Sequence, residues 1–448
     1  MLRALIFVAV VLLCYILALG KGPLYGLIAY AIIYFIPPSP DIHWWAEYIP
    51  FTRWSLLSSL VLIISFFLHR EKLIVRKFRS ANWLFTFTFL SLVTVLVTDN
   101  DVHEPSHAYK LITYCITVWF IIRVLRDQEQ LRTFLLSLIA MTGVVSILAY
   151  IEGRRINARL EGIGSNDSFE ANEFALLIVG VISLMIPLIL QGRKHEKIIC
   201  LLFLPFILNA FILCNSRGAA IAVFAGLVYA TFVVADKLIR KRIILAMICI
   251  FPLFLFLTDP EYITRISSLW TTEEAFEGGD ALNQLSSGRT EIWQYGIQMV
   301  NDHPLGAGPN SFKHLARHYM PQEILTFKPG AEYGVRAAHN TYLQILVEQG
   351  YLGFIVWIIL CVHTLLILKN GAKRLSLSGE SGTFMGYTVF GLNVSIICTL
   401  IGGLTMARIY YEFFWWQVAL SVVAFSLINE SEEEERISEE EKQEDYFR

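Results

Sequence analysis

Apolar runs of bilayer length recur from one end of this chain almost to the other, and nothing else in the sequence limits the fold as strongly. A helix needs about 20 apolar residues to cross hydrocarbon, and about thirteen stretches qualify. They lie near 2–19, 22–37, 51–68, 82–98, 108–124, 130–151, 171–191, 197–214, 217–235, 241–258, 340–368, 383–403 and 406–428. In lipid every backbone N–H and C=O must be satisfied within the chain, so such segments are helical. A 55% hydrophobic content against 17% charged residues, with mean hydropathy +0.55, rules out a soluble domain. The expected fold is all-α: a polytopic transmembrane helical bundle of about 12–13 spans with one large external loop containing short amphipathic helices.

Basic residues are retained on the cytoplasmic side, which orients the bundle. Arg70, Lys72, Arg76, Lys77 and Arg79 fill one loop; Arg123, Arg126 and Arg132, then Arg193, Lys194 and Lys197, then Lys237, Arg240, Lys241 and Arg242, then Lys369, Lys373 and Arg374 fill others. Loops carrying Asp41 and Glu47, or Asp99, Asp101 and Glu104, alternate with them. The segment 259–338, where ten acids face six bases, falls outside with them. Four parts follow: an N-terminal transmembrane bundle 1–258, a large periplasmic or extracellular catalytic loop 259–338, C-terminal transmembrane helices 339–428 and an acidic disordered cytoplasmic tail 429–448. One conflict is left. With a cytoplasmic N-terminus and three crossings, the five-base loop would lie outside, so either the N-terminus is external or the segment before Pro37 is re-entrant or merged.

Several residues read as chemistry. Arg217 follows Ser216 at the tight junction of two spans, where an arginine needs a partner or an aqueous cavity. Ser216 is placed to cap the new helix, Gly218 and Ala219 permit close approach, and the helix N-terminus favours an anion. Arginine plus helix N-terminus is a phosphate site; an interfacial arginine reaching lipid headgroups is the other reading. The loop 153–173 breaks the charge rule with Arg154, Arg155 and Arg159, which suits either an anionic ligand or lipid phosphates. Residues 289–302 space Ile292, Trp293, Ile297 and Val300 as an amphipathic helix, and the turn from His303 to Phe312 carries Gly306 and Gly308, which allow a ligand close to the backbone. His339 opens a helix, where the positive dipole end disfavours its protonated form and leaves a neutral imidazole suited to general base catalysis; a structural histidine at the interface is the other reading.

Other features carry bland readings. Asp99-Asn100-Asp101 has the form of a metal-holding DxD but reads as a solvated loop. His314 and His318 lack a third ligand nearby, so no metal site is expected. Lys110 can snorkel from the fifth span. Arg408 and Glu412, one helical turn apart in the last span, are expected to pair. The seven cysteines sit in apolar stretches and give no disulfide or CxxC framework.

The runs Ser216-Arg217-Gly218, Ser287-Gly288-Arg289-Thr290-Glu291-Ile292-Trp293, His303-Pro304-Leu305-Gly306-Ala307-Gly308 and His339-Asn340-Thr341-Tyr342-Leu343 through Val347-Glu348-Gln349-Gly350 together resemble the O-antigen ligase and polymerase superfamily of bacterial envelope glycosyltransferases, with a GT-C-like membrane fold. Pro50-Phe51-Thr52-Arg53-Trp54 and the loop Asp167–Asn172 are similar to a branch described as exosortase-associated O-glycosylation ligases. The resemblance implies an enzyme of the bacterial inner membrane that works on its periplasmic or extracellular side. It would move a glycan from undecaprenyl diphosphate to another glycan, a lipid A core or a protein, with inversion, and with neither metal nor cofactor. Arg217, Arg289 and His339 match the positions held to be catalytic. Arg217 and Arg289 would bind the donor diphosphate with Arg159 as a third contact, and Asn172, Asn340, Gly306 and Gly308 would have supporting places. Membrane lipids are expected partners and nucleic acid is not. A transporter of lipid-linked sugars is the competing class, but the chain shows none of the internal repeats usual in transporters.

Overall fold

The computed structural model describes residues 1–49, 53–70, 79–98, 104–156, 159–168, 170–233, 240–241, 243–245, 247–248, 289–327 and 333–447. Asp99 and Asp101, most of the five-base loop, Ser287 and Gly288, and the first part of the long loop lie outside the described residues.

The chain runs α1 (Leu2–Lys21), α2 (Pro23–Phe35), α3 (Trp54–Leu68), α4 (Arg79–Val97), α5 (Pro105–Val124) and α6 (Gln128–Glu152). A hairpin follows, β1 (Arg154–Ile156) antiparallel to β2 (Arg159–Glu161), then α7 (Ala171–Gln191), α8 (Lys194–Cys214) and α9 (Arg217–Val233). The external segment contributes α10 (Arg289–Asp302) and α11 (Ser311–Tyr319); α12 (Thr341–Leu377), α13 (Phe384–Gly402) and α14 (Glu412–Phe447) close the chain. Seven described helices are long and apolar enough to cross a membrane, and four apolar helices are shorter. The all-α polytopic bundle expected from the apolar runs is therefore present, with β1 and β2 its only strands among the described residues.

The N-terminal conflict resolves by geometry. Gly22, at φ 144°, reverses the chain between α1 and α2. Arg3 forms an ion pair with Glu152 at the end of α6, and its guanidinium lies 5.9 Å from the Trp44 ring centre. Phe35 ends α2 at that same end, where Asn166 N–H donates to Tyr34 O at 2.8 Å. Near the opposite end, Ser65 of α3 donates to Ala18 O at 2.5 Å. Thus α1, α2 and α3 form an antiparallel trio whose first residue lies on the hairpin side, with Leu68, the last residue of α3, on the other side.

The central pair is α7 against α13. Pro187 withholds the N–H that Ser183 O would receive, and Gly391 lets α13 come against that carbonyl, since a Cβ there would sit 2.5 Å from it. Ser395 donates to Gly180 O at 2.8 Å across the same interface. In lipid such close, small-residue approaches replace hydrophobic driving force.

One expected span is broken. Gly350 sits at φ 65° inside α12, dividing it into a short helix 341–349 and a long one from 351. The break leaves carbonyls of the short helix without intrahelical donors, and the glycine-rich turn supplies them. Ala307 N–H donates to Val347 O at 2.8 Å, Gly308 N–H to Glu348 O at 3.0 Å, and Tyr351 N–H to Pro304 O at 3.0 Å. The backbones touch: a Cβ on Gly350 would lie 2.4 Å from Leu305 C, and one on Gly306 would lie 2.7 Å from Glu348 O. Gly306 thus admits the helix backbone, which is where its expected close approach is found.

Two further expectations are corrected. Arg408 precedes α14 and is not on its helix, so it does not stack one turn below Glu412. Its Nη1 donates to Glu173 O at 3.3 Å and its guanidinium lies 4.1 Å from the Tyr411 ring centre, while Glu412 accepts from Tyr30 and Trp416. The acidic tail continues α14 as helix to Phe447, tied by Arg374 Nη1 to Glu432 Oε2 at 2.5 Å.

Gly350→Ala is expected to lose about 2–4 kcal/mol, from left-handed strain plus overpacking. Gly20→Ala, with nothing within 4 Å, is the neutral control. Thermal unfolding in detergent that ranks the two equally would remove the break from the stabilising contacts.

Candidate functional site

Four segments meet at the hairpin end of the bundle. The first is the junction of α8 and α9. Asn215 adopts a left-handed φ of 47°, which asparagine tolerates, and ends α8. Ser216 Oγ then accepts from Ala219 N–H at 3.4 Å, the expected cap, with Arg217 in the first turn of α9. What approaches Gly218 is the protein itself, since a Cβ there would lie 2.2 Å from Thr405 Oγ1.

The second segment is α10, which begins at Arg289. Ile292 and Met299 are fully buried in a small core with Phe312, Ala338 and Leu343, separate from the bundle core. Trp293 Nε1–H donates to Ala338 O at 3.0 Å, fastening α10 to the residue before His339. Spacing alone placed Trp293 on an apolar face; the tether needed the structure.

The third segment holds His339 and Asn340. Asn340 is the N-cap of α12, its Oδ1 accepting from Tyr342 N–H at 2.9 Å and Leu343 N–H at 3.0 Å. His339 stands one residue outside the helix at φ 47°. Such a backbone costs of order 1–2 kcal/mol for a residue with a Cβ. It is maintained by the cap on one side and by Trp293 on the other. The fourth segment is the hairpin, where Arg159 Nη2 donates to Asn172 Oδ1 at 2.6 Å.

The electrostatics of these residues are coupled. Burial, then Arg217, Arg159 and Arg336 in that order, hold the Arg289 guanidinium below its ordinary value. Burial, then Arg289 and Arg336, hold His339 down to about 4. Three like charges within electrostatic reach of Arg289 repel it, and an anion placed there relieves that repulsion. His339 is consequently a neutral imidazole across the physiological range. Arg336 was passed over in the sequence, although it stands three residues before His339.

His339 and Asn172 also line a cavity of about 910 Å³. The four arginines are not among its lining residues, whereas His339 both lines the cavity and lies within electrostatic reach of Arg289 and Arg336. The wall pairs acids with tyrosines. Tyr34 donates to Asp167 at 2.7 Å, Tyr30 to Glu412 at 2.8 Å, Tyr410 to Glu348 at 2.6 Å, and Tyr411 to Glu173. Glu348 also accepts from Asn310 N–H at 2.9 Å and from Gln344 at 2.9 Å, so its side chain reinforces the join already made by its carbonyl. Lys110, expected to snorkel, lies on the cavity wall. His314 and His318 turn to different partners: His314 Nε2 meets Glu104 at 2.7 Å, and Arg317 Nε donates to His318 Nε2 at 2.9 Å.

Removing Arg336 as Arg336→Gln is expected to raise the titration of His339 from about 4 toward 6.5, because one repelling charge is gone. The sign is that the neutral form, dominant above about 4 in the parent, gives way to imidazolium at a higher pH in the variant. Histidine ring NMR in nanodiscs checks this, and an unmoved titration would separate Arg336 from the site.

A search of curated proteins finds no match for the chain. The O-antigen ligase family model matches residues 200–358, a span that contains Arg217, Arg289, Arg336 and His339. The resemblance drawn from the motifs therefore holds: residues 200–358 of this multi-pass membrane protein match the O-antigen ligase family model.

Proposed function

We propose that this protein is a metal-independent, inverting glycosyltransferase of the bacterial inner membrane that moves a glycan from polyprenyl diphosphate to an acceptor hydroxyl on the periplasmic or extracellular face, in the manner of an O-antigen ligase. The observation that carries this reading is the position of His339, a neutral base that lies within electrostatic reach of Arg289 and Arg336 and also lines a large cavity.

The chemistry is a single displacement. The acceptor oxygen attacks the anomeric carbon, the bond from that carbon to the diphosphate oxygen breaks, and its electron pair leaves with the diphosphate. The acceptor proton passes to the imidazole. Diphosphate is a good leaving group and needs no general acid; planar guanidinium forks stabilise the charge growing on it. Arg217, Arg289 and Arg159 take that role, with Arg336 beside them. Asn340 and Trp293 hold the imidazole in place, Asn172 holds Arg159, and Gly306 and Gly308 hold the broken helix. Attack from the side opposite the leaving group inverts the anomeric centre.

A polysaccharide polymerase and a protein O-oligosaccharyltransferase use the same displacement with different acceptors. A flippase would need the cationic cluster but no base. His339→Ala is expected to lower transfer by roughly 10²–10⁴-fold while donor binding is kept. Transfer that survives the substitution, or donor binding that falls with it, would remove the base role. Arg217→Lys and Arg289→Lys are each expected to weaken both donor binding and transfer by about tenfold or more, since a point ammonium does not replace a fork. Full activity in either variant would take that residue out of the diphosphate site. The free enzyme's kcat/KM is expected to keep its acid limb near 4, as burial and the arginines dictate for His339; a limb near 6.5 would point to a different, ordinary histidine.

A further inference from the structure

The cavity beside His339 has two unequal ends. Toward the membrane it runs between α3 and α5, where Leu56 and Ile116 line it while being 52% and 48% exposed on the outer face of the bundle. α3 packs on α1 and α2, and α5 packs on α4 and α14, so the two helices flank the cavity as its side walls. Ser55, Ser59 and Thr113 add a thin polar line along the same path. The other end, at the external surface, carries Lys110 and Lys313 on either side of His107. Lys110 Nζ lies 3.3 Å from His107 Nε2, and Lys313 is within electrostatic reach of that imidazole.

The acids of the wall do not answer these lysines. Asp167, Glu173, Glu348 and Glu412 are each held by a tyrosine hydroxyl, and Glu170 faces the Arg159 end. Glu104, the carboxylate nearest His107, spans His107 and His314 at 3.0 and 2.7 Å. Among the described residues neither lysine has a carboxylate within ion-pair distance. Two ammonium groups at a cavity mouth, with apolar walls leading out to lipid, match an amphiphile whose anionic group sits at the membrane surface.

We infer that this cavity is the acceptor site, that the acceptor is a membrane-anchored glycan entering sideways between α3 and α5, and that Lys110 and Lys313 read a phosphate or carboxylate it carries. The inference rests on the transferase reading, because it assigns to the cavity the substrate whose hydroxyl His339 would activate. It separates the acceptor's anion from the donor's: the arginine cluster takes one and the lysine pair the other. A phosphorylated glycolipid and a lipid-linked diphosphate glycan share this chemistry; a soluble protein acceptor does not.

The test is capture without turnover. The full chain, with photo-reactive benzoylphenylalanine in place of Ile116, is put in phosphatidylcholine vesicles. Three probes are compared: an acylated disaccharide monophosphate, its dephosphorylated form, and the same disaccharide phosphate without acyl chains. An acylated disaccharide carrying a diphosphate is run in parallel to rank the two phosphate sources. The acylated phosphate is expected to cross-link. Dephosphorylation, or the double variant Lys110→Gln with Lys313→Gln, is expected to reduce capture about tenfold or more, and the soluble phosphate is expected not to compete. Equal capture of the dephosphorylated lipid would overturn the anion role, and efficient competition by the soluble phosphate would overturn sideways entry. Unfolding temperature shows whether the lysine variants are folded; if they are not, the dephosphorylated probe on the parent decides. His339→Ala is expected to leave capture unchanged while transfer is lost, so failure of capture and failure of the transferase reading give different results.

Discussion

The site depends on a helix that stops and restarts. At Gly350 the backbone leaves helical geometry, and the carbonyls of Val347 and Glu348 turn to the N–H groups of Ala307 and Gly308. Unpaired carbonyls at membrane depth cost several kcal/mol each, so a break is tolerated only where another part of the chain meets it. That requirement joins the external segment to the bundle. It also explains why two glycines face each other, since a side chain on either would enter the other's backbone. The short helix 341–349 is thereby held against the turn 303–312, and its capped N-terminus sets the place of His339.

The charge arrangement follows from the same join. Trp293 brings α10, and so Arg289, against the residue preceding His339. The α8–α9 junction brings Arg217, the hairpin brings Arg159, and the strand-like run before His339 brings Arg336. Arg289 and Arg336 act on the imidazole, and Arg217, Arg159 and Arg336 act on Arg289, a repulsion that an anion placed there would relieve. Asp167, Glu173, Glu348 and Glu412 on the cavity side are each held by a tyrosine, while Glu170 lies within electrostatic reach of Arg159.

Much of this was legible in the sequence. Apolar length gave the all-helical bundle, because the bilayer allows few alternatives. Arg217 and His339 stood out because each borders an apolar run with a polar group that needs a reason, whereas Arg289 was singled out by the resemblance of the run Ser287–Trp293. The rest was hidden for identifiable causes. The break at Gly350 lies within a stretch read as one span although Glu348 and Gln349 precede it, and periodicity does not register a single left-handed residue. Glu412 and Arg408 looked like partners because four-residue spacing implies a shared helix face; the chain between them is not helical, and their partners come from α2, α7 and α14. The acid–tyrosine pairs join residues far apart in sequence, so no local pattern announces them. Arg336 bore the right chemistry but belonged to no recognisable run.

The anomeric configuration of the new glycosidic bond tests the central claim most directly. It is read by carbon–proton coupling on product made by the purified chain in vesicles containing its lipid-linked donor and a membrane-anchored acceptor. A base-assisted single displacement gives a product inverted relative to the donor. Retained configuration would require a covalent glycosyl intermediate that His339 and the arginines do not provide. Donor carried across the vesicle membrane with no new bond would make the protein a transporter.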